Sequence, residues 1–158
     1  MKRQEEESRA AEWKRDEYRI SCDREQLDLP LIHEYLSRRS YWAQGRSLEQ
    51  LQRSIDNSLN FGVFADHEQL GFARVVTDYA TFAWLADVFI LESYRGRGLS
   101  KWLLEVIISH PQLQGLRRWL LTTRDAHDLY RRFGFKELED PARWMERFEP
   151  VVRTVPSE

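Results

Sequence analysis

The sequence predicts one α/β domain built on a mixed sheet, and three observations carry that prediction. Its 158 residues suit a single core, with 42% hydrophobic and 13% aromatic residues to fill it. Helical apolar periodicity in the first third gives way to three short apolar runs joined by polar turns. A strand, a glycine loop and an almost wholly apolar helix then follow without a break.

Composition narrows the class. The net charge is −2 and both signs are mixed along most of the chain, which speaks against the basic face of a general nucleic-acid binder. Cys22 is the single cysteine, so there is no internal disulfide, and no activating motif surrounds it. The four histidines, His33, His67, His110 and His127, lack metal-ligand spacing, and no metal is expected. The start is too charged for a signal peptide and no stretch of about 18 apolar residues exists. The expectation is a cytoplasmic protein with no membrane partner.

The elements follow in order. Residues 1–16 read as a charged leader, helical or disordered, residues 17–150 as the domain, and residues 151–158 as a short tail. A first strand is expected at residues 18–21. Leu31, Ile32, Tyr35 and Leu36 recur at helical intervals, with Asp28 as a cap and Pro30 in the first turn. Ser47 and Gln50 form a capping-box pattern for a second helix, whose stripe is Leu48, Leu51, Ile55 and Leu59. Residues 60–65, 70–77 and 81–91 read as three antiparallel strands, with turns at the polar DHEQ and around Asp78 and Tyr79. The helix LSKWLLEVIISH is stopped by Pro111, a strand is expected at residues 116–123, and a short helix at 126–133 ends at Gly134. PARWMERFEP would supply the last strand.

The loop Arg95-Gly96-Arg97-Gly98-Leu99-Ser100, between strand and helix, suits an anion. Glycines let backbone approach a ligand, and a helix start offers unpaired N–H groups with a favourable dipole. Arg95, Arg97 and Lys101 add positive charge. The spacing lacks the third glycine of a dinucleotide fingerprint and is not a Walker A loop. From the loop alone, a plain two-glycine turn stays open.

Arg95, Gly98 and Ser100, read as R-x-x-G-x-S between an apolar strand and helix, resemble the coenzyme-A-binding motif of the GNAT (Gcn5-related N-acetyltransferase) superfamily. Ser100 stands where that motif usually has Gly or Ala. Downstream, Ala126, Leu129, Tyr130, Gly134 and Phe135 resemble the family's A-x-x-L-Y-x-x-x-G-F. The resemblance spans roughly residues 18–148. It implies a GNAT fold: a mixed, mostly antiparallel sheet of six to seven strands, about four helices, and a V-shaped splay between strands four and five. It implies an acetyltransferase that moves the acetyl group of acetyl-CoA directly to an amine, on a small molecule or a peptide. A non-catalytic acyl-CoA-binding or sensing module is the alternative, and a homodimer is compatible with either.

The resemblance also implies roles. The backbone of Val88, Phe89 and Ile90 would pair with the pantetheine arm, and the amides of residues 95–100 would take the pyrophosphate. Tyr130 would be the general acid toward the leaving thiolate. Thr123 stands where the family often has Asn, and would still hydrogen-bond the coenzyme. Asp87 is the one charge inside an apolar strand, which reads either as a base or as a structural acceptor. Ala86 stands where polyamine-type enzymes carry Glu, which argues against a polyamine acceptor. Tyr41, Trp42, Asp78 and Tyr79 are candidates to line the acceptor cleft. Aromatics with one acid suit a cationic amine, and packing at the core's rim is the other reading.

Overall fold

The computed structural model describes Lys2 and residues 11–150. Six strands form one sheet in sequence order: β1 Glu12–Arg15, β2 Tyr18–Ser21, β3 Leu59–Ala65, β4 Glu68–Thr77, β5 Phe82–Ile90 and β6 Arg118–Leu120. Neighbours through β5 are antiparallel, and β5 with β6 is parallel. Among the described residues four α-helices accompany them: α1 Leu29–Glu34, α2 Leu48–Asp56, α3 Leu99–Ser109 and α4 His127–Arg131. The mixed sheet expected from the sequence is present, with six strands among the described residues.

Local chemistry explains most boundaries. Asp28 accepts from the Leu31 N–H to start α1, and Ser47 with Gln50 forms the full capping box of α2. Leu51 and Ile55 are buried as expected, whereas Leu48 lies on the exposed side of its helix. After α1 the chain widens into a π-turn, Tyr35–Arg39, where the Ser40 N–H reaches back to the Tyr35 carbonyl. Ser37 and Ser40 donate their hydroxyls to the His33 and Leu36 carbonyls, each four residues back. Such bonds compete with regular helix and bend it. The single helix expected through Arg39 therefore ends early, and the following loop crosses toward the sheet.

Helix α3 buries Leu99, Trp102, Leu103, Leu104, Val106 and Ile107 against the main core, which includes Ile20, Phe61, Val63 and Val75. Each large apolar side chain contributes about 1.5–3 kcal/mol by leaving water. A second core joins α1, α2 and the opposite face of the sheet through Ile32, Leu36, Leu51, Ile55, Phe72 and Phe89. The sheet is thus covered on both faces at its centre, and the ends of its strands remain available for a ligand.

Two expectations need correction. The leader assigned to residues 1–16 ends in structure: Glu12–Arg15 forms an antiparallel edge strand on β2, with Asp16 at φ 52 in the turn and Trp13 packed on the core. The remainder of the leader lies outside the described residues, as does the tail at residues 151–158. The last strand, expected in PARWMERFEP, is not formed. That segment makes a short 3-10 turn, Pro141–Arg143, and then runs on with Met145 97% and Phe148 76% exposed. A strand needs an adjacent edge. Here a groove of about 720 Å³, lined by residues 117–120 and 133–140, separates β6 from the chain beyond α4.

Candidate active site

The strand pairing opens a wedge. Strand β5 pairs with β6 only over Phe82, Ala83 and Trp84, against Arg118, Trp119 and Leu120. Beyond Trp84 the two strands part, so residues 85–90 have a strand neighbour on the β4 side alone among the described residues. Val88, Phe89 and Ile90 all lie along this unpaired stretch. The expected strand at residues 116–123 is correspondingly short, because β6 has no partner past Leu120.

At the head of the wedge, β5 carries a bulge. Arg74 pairs with Ala86 and Phe72 with Phe89, so Asp87 and Val88 together oppose Ala73. Asp87 takes a left-handed backbone, φ 56, which costs about 1–3 kcal/mol for a residue other than glycine. Three bonds to its side chain fix that geometry. Oδ2 accepts from Arg46 Nη1 and from Arg74 Nε, each at 2.6 Å, and Oδ1 accepts from Trp42 Nε1 at 3.0 Å. Burial alone would raise the carboxyl pKa, but the charges and hydrogen bonds of Arg74 and Arg46 outweigh it and hold it below the ordinary carboxylate value.

At the tail of β5, the glycine loop turns into α3 through two left-handed residues. Gly96 (φ 79) and Gly98 (φ 76) both need the left-handed region, and a Cβ built on either meets no atom within 4 Å. The Trp102 N–H donates to the Gly98 carbonyl, but the amides of residues 96–100 donate to no carbonyl among the described residues. Arg95 differs from the rest. Its amide closes the preceding turn on Glu92, and its guanidinium bridges the Ile90 carbonyl and Tyr35 Oη. The Arg95 side chain therefore braces the end of β5, with its charge beside the loop. Arg97 donates to Tyr18 Oη at 2.8 Å and lies over the Tyr94 ring, while Lys101 is exposed on the first turn of α3.

A cavity of about 620 Å³ occupies the head of the wedge. It is lined by Tyr41, Trp42, Arg46 and Arg74 on one side, and by residues 84–88, 122–126 and Tyr130 on the other. Tyr41 Oη accepts the Arg124 N–H at 2.7 Å, tying the α1–α2 loop to the β6–α4 loop across the opening. Thr123 Oγ1 accepts from the Ala126 N–H and so caps the approach to α4, which leaves its hydroxyl proton to donate elsewhere. Tyr130 is buried edge-on to Phe135. Burial, then the neighbouring Tyr41 and Asp125, push its phenol up to about 12. It keeps its proton throughout the neutral range.

The structure thus brings Tyr41, Trp42, Asp87, Thr123 and Tyr130 into one cavity and leaves two acceptor candidates out. Asp78 is spent on its own hairpin: its carboxylate accepts from the amides of Ala80, Thr81 and Phe82 and from the Thr81 hydroxyl. Those bonds, the Thr81 hydroxyl first, hold its carboxyl well below the usual range. Tyr79 sits beside it at φ 60, beyond the cavity's lining. Sequence reasoning missed Arg46, Arg74, Trp84 and Arg124. Arg74 carried a readable signal, a charge inside the apolar run LGFARVVT one strand away from Asp87.

Comparison with known proteins matches this geometry. The family model described as Acetyltransferase (GNAT) family matches residues 9–135. The chain belongs to the GNAT acetyltransferase family. A Gibberella zeae protein assigned to the acetyltransferases by inference is 29% identical over 151 residues, covering 81% of this chain and 84% of its own. A crystal structure of a GNAT protein from Xanthomonas campestris pv. campestris is 49% identical, with a TM-score of 0.84 over 87% of this chain and 97% of that one. A Clostridium acetobutylicum protein crystallised with acetyl-CoA shares the fold at a TM-score of 0.63 and 14% identity, over 83% and 94% of the two chains. This GNAT member shares the open mixed sheet of those structures. Among its described residues no helix is long and apolar enough to cross a membrane, and no group of three or more metal-ligating side chains occurs.

Proposed function

We propose that this GNAT protein transfers an acetyl group from acetyl-CoA directly to an amine. The observation that carries the reading is the unpaired edge of β5, running from a cavity with a protonated phenol at one end to an open glycine seat at the other. An extended pantetheine fits such an edge as an added strand, through main-chain hydrogen bonds. The Clostridium relative's acetyl-CoA supports the same donor here.

In this reading the chain's own groups divide the chemistry. The amides of residues 96–100, Arg97 and Lys101 hold the pyrophosphate at the start of α3. The backbone of Val88, Phe89 and Ile90 orients the pantetheine, and Thr123 adds a hydroxyl contact. Main-chain N–H groups at the bulge, near Val88, polarise the thioester carbonyl. Tyr130 donates its proton to the departing sulfur. Asp87 stays an ion-pair partner and not a base, since its oxygens are occupied and its proton affinity is low. Retention of the Tyr130 phenol inside the cavity favours catalysis over a purely sensing role. The one thiol, Cys22, is buried and pushed up to about 12 by that burial, which removes it as a nucleophile.

Acetyl-CoA is expected to raise the melting temperature, because a ligand that binds only the folded state stabilises it by mass action. At a hundredfold excess over Kd the gain is about 2.7 kcal/mol, or several degrees for a domain of this size. No shift at millimolar acetyl-CoA, read by differential scanning fluorimetry, removes the proposal. Gly98→Val is expected to abolish most of that shift. The valine would sit in the space where a pyrophosphate approaches and would carry a left-handed backbone that a β-branched residue resists. A variant that melts lower yet binds acetyl-CoA normally makes Gly98 a turn residue only.

A further inference from the structure

The cavity presents positive charge. Three arginines, Arg46, Arg74 and Arg124, line it against two carboxylates, Asp87 and Asp125. The buried carboxylate stands behind the arginines: the Asp87 side chain is 2% exposed, against 21% for Arg46 and 14% for Arg74. Arg46 and Arg74 share that single carboxylate oxygen, so one guanidinium charge at the head of the wedge is left over. The described residues give Arg46 Nε and Nη2 no further partner, while Arg74 spends Nη1 on Ser58. Arg124 lies over the Tyr41 ring, its guanidinium carbon 3.9 Å from the ring centre, at the opposite lip.

Resting on the acetyl-transfer reading, we infer that the acceptor is a small amine that also carries an anionic group, a carboxylate or a phosphate, which Arg46 engages with Arg74 and Arg124 in support. Arginine forks suit these anions because their parallel N–H groups meet two oxygens at once. The aromatic rings of Tyr41, Trp42 and Trp84 form the cavity's walls and suit the carbon frame of such a molecule. A simple cationic amine is disfavoured. The acid expected to pair with it, Asp78, is outside the cavity; inside, Asp87 is covered by its arginines, and the exposed Asp125 is outnumbered by three arginines. The same positive field lowers the proton affinity of a bound ammonium, which delivers the neutral amine that attack requires without a dedicated base. An ordinary alkyl amine with a pKa near ~10 is otherwise protonated at neutral pH.

The test uses matched acceptors with the full chain and acetyl-CoA. Free amino acids, the same compounds as carboxamides, and phosphorylated amines such as phosphoethanolamine beside ethanolamine are compared by kcat/KM for coenzyme release. The anionic member of each pair is expected to lead by about 10–100-fold, the range of a charge-assisted hydrogen bond. The carboxylate and phosphate arms then identify the anion. Arg46→Gln is expected to bring that ratio toward unity through KM, and Arg46→Lys to keep part of it, while the acetyl-CoA melting shift stays as in the parent. Equal or better rates with the neutral members, or a ratio that survives Arg46→Gln, overturn the inference. Acetyl-CoA binding without acetylation of any anionic amine also overturns it and leaves the coenzyme reading standing; absence of acetyl-CoA binding removes both.

Discussion

Tyr130→Phe is expected to lower kcat by about 10²–10⁴-fold, the usual weight of general acid–base catalysis, with acetyl-CoA affinity unchanged. The substitution keeps the ring and its edge-on contact with Phe135, centroids 5.9 Å apart, and removes only the hydroxyl. The sign of its titration supports the role. Burial first, then Tyr41 and Asp125, raise the phenol to about 12, so the proton-bearing form dominates through the neutral and mildly alkaline range. The parent enzyme should therefore show no loss of kcat from this group in the neutral and mildly alkaline range. Steady-state rates on the best acceptor, with acetyl-CoA binding followed by melting temperature, measure both halves. An unchanged kcat in the variant would take Tyr130 out of the mechanism.

The fold was legible wherever local chemistry decides it. Caps at Asp28 and Ser47, the period change near Asn60, and the left-handed glycines at 96, 98 and 134 were all readable from residue type and spacing. Elements that depend on a neighbour were not. Strand β1 is charged except for Trp13, and only its pairing with β2 makes it a strand. Segment 144–150 carries the aromatics Trp144 and Phe148 but pairs with no strand edge among the described residues. The site divides along the same line. Tyr130 and the glycine loop announce themselves, because their chemistry is carried by local motifs. The Asp87 cluster does not: Arg46 reaches it over 41 positions only because a π-turn redirects the chain after α1, and Arg74 meets it across a bulge. Asp78 read in sequence as a candidate for the acceptor cleft, yet its own turn amides consume it.

Asp87 is expected to be the most consequential residue for stability, and Asp87→Ala to cost about 3–5 kcal/mol, as for other buried ion pairs broken on one side. Removing the carboxylate leaves Arg46 and Arg74 facing each other over one vacated site, deprives Trp42 Nε1 of its acceptor, and keeps the strained bulge without its restraint. At about 2–4 °C per kcal/mol for a domain of this length, the melting temperature should fall by roughly 10 °C. The pH dependence follows from the depressed carboxyl pKa. Its ion pairs stabilise the fold fully above the unfolded value, about 3.9, and are lost as pH falls through the lower folded value. The parent protein should therefore lose this contribution only in acid below about pH 4, and Asp87→Asn should lack that part of the acid transition. Catalysis separates a brace from a base. For a brace, Asp87→Asn lowers kcat by a factor that is constant with pH and accompanied by a lower melting temperature. A variant that melts like the parent, with a rate that recovers as rising pH deprotonates the amine unaided, would make Asp87 the base after all.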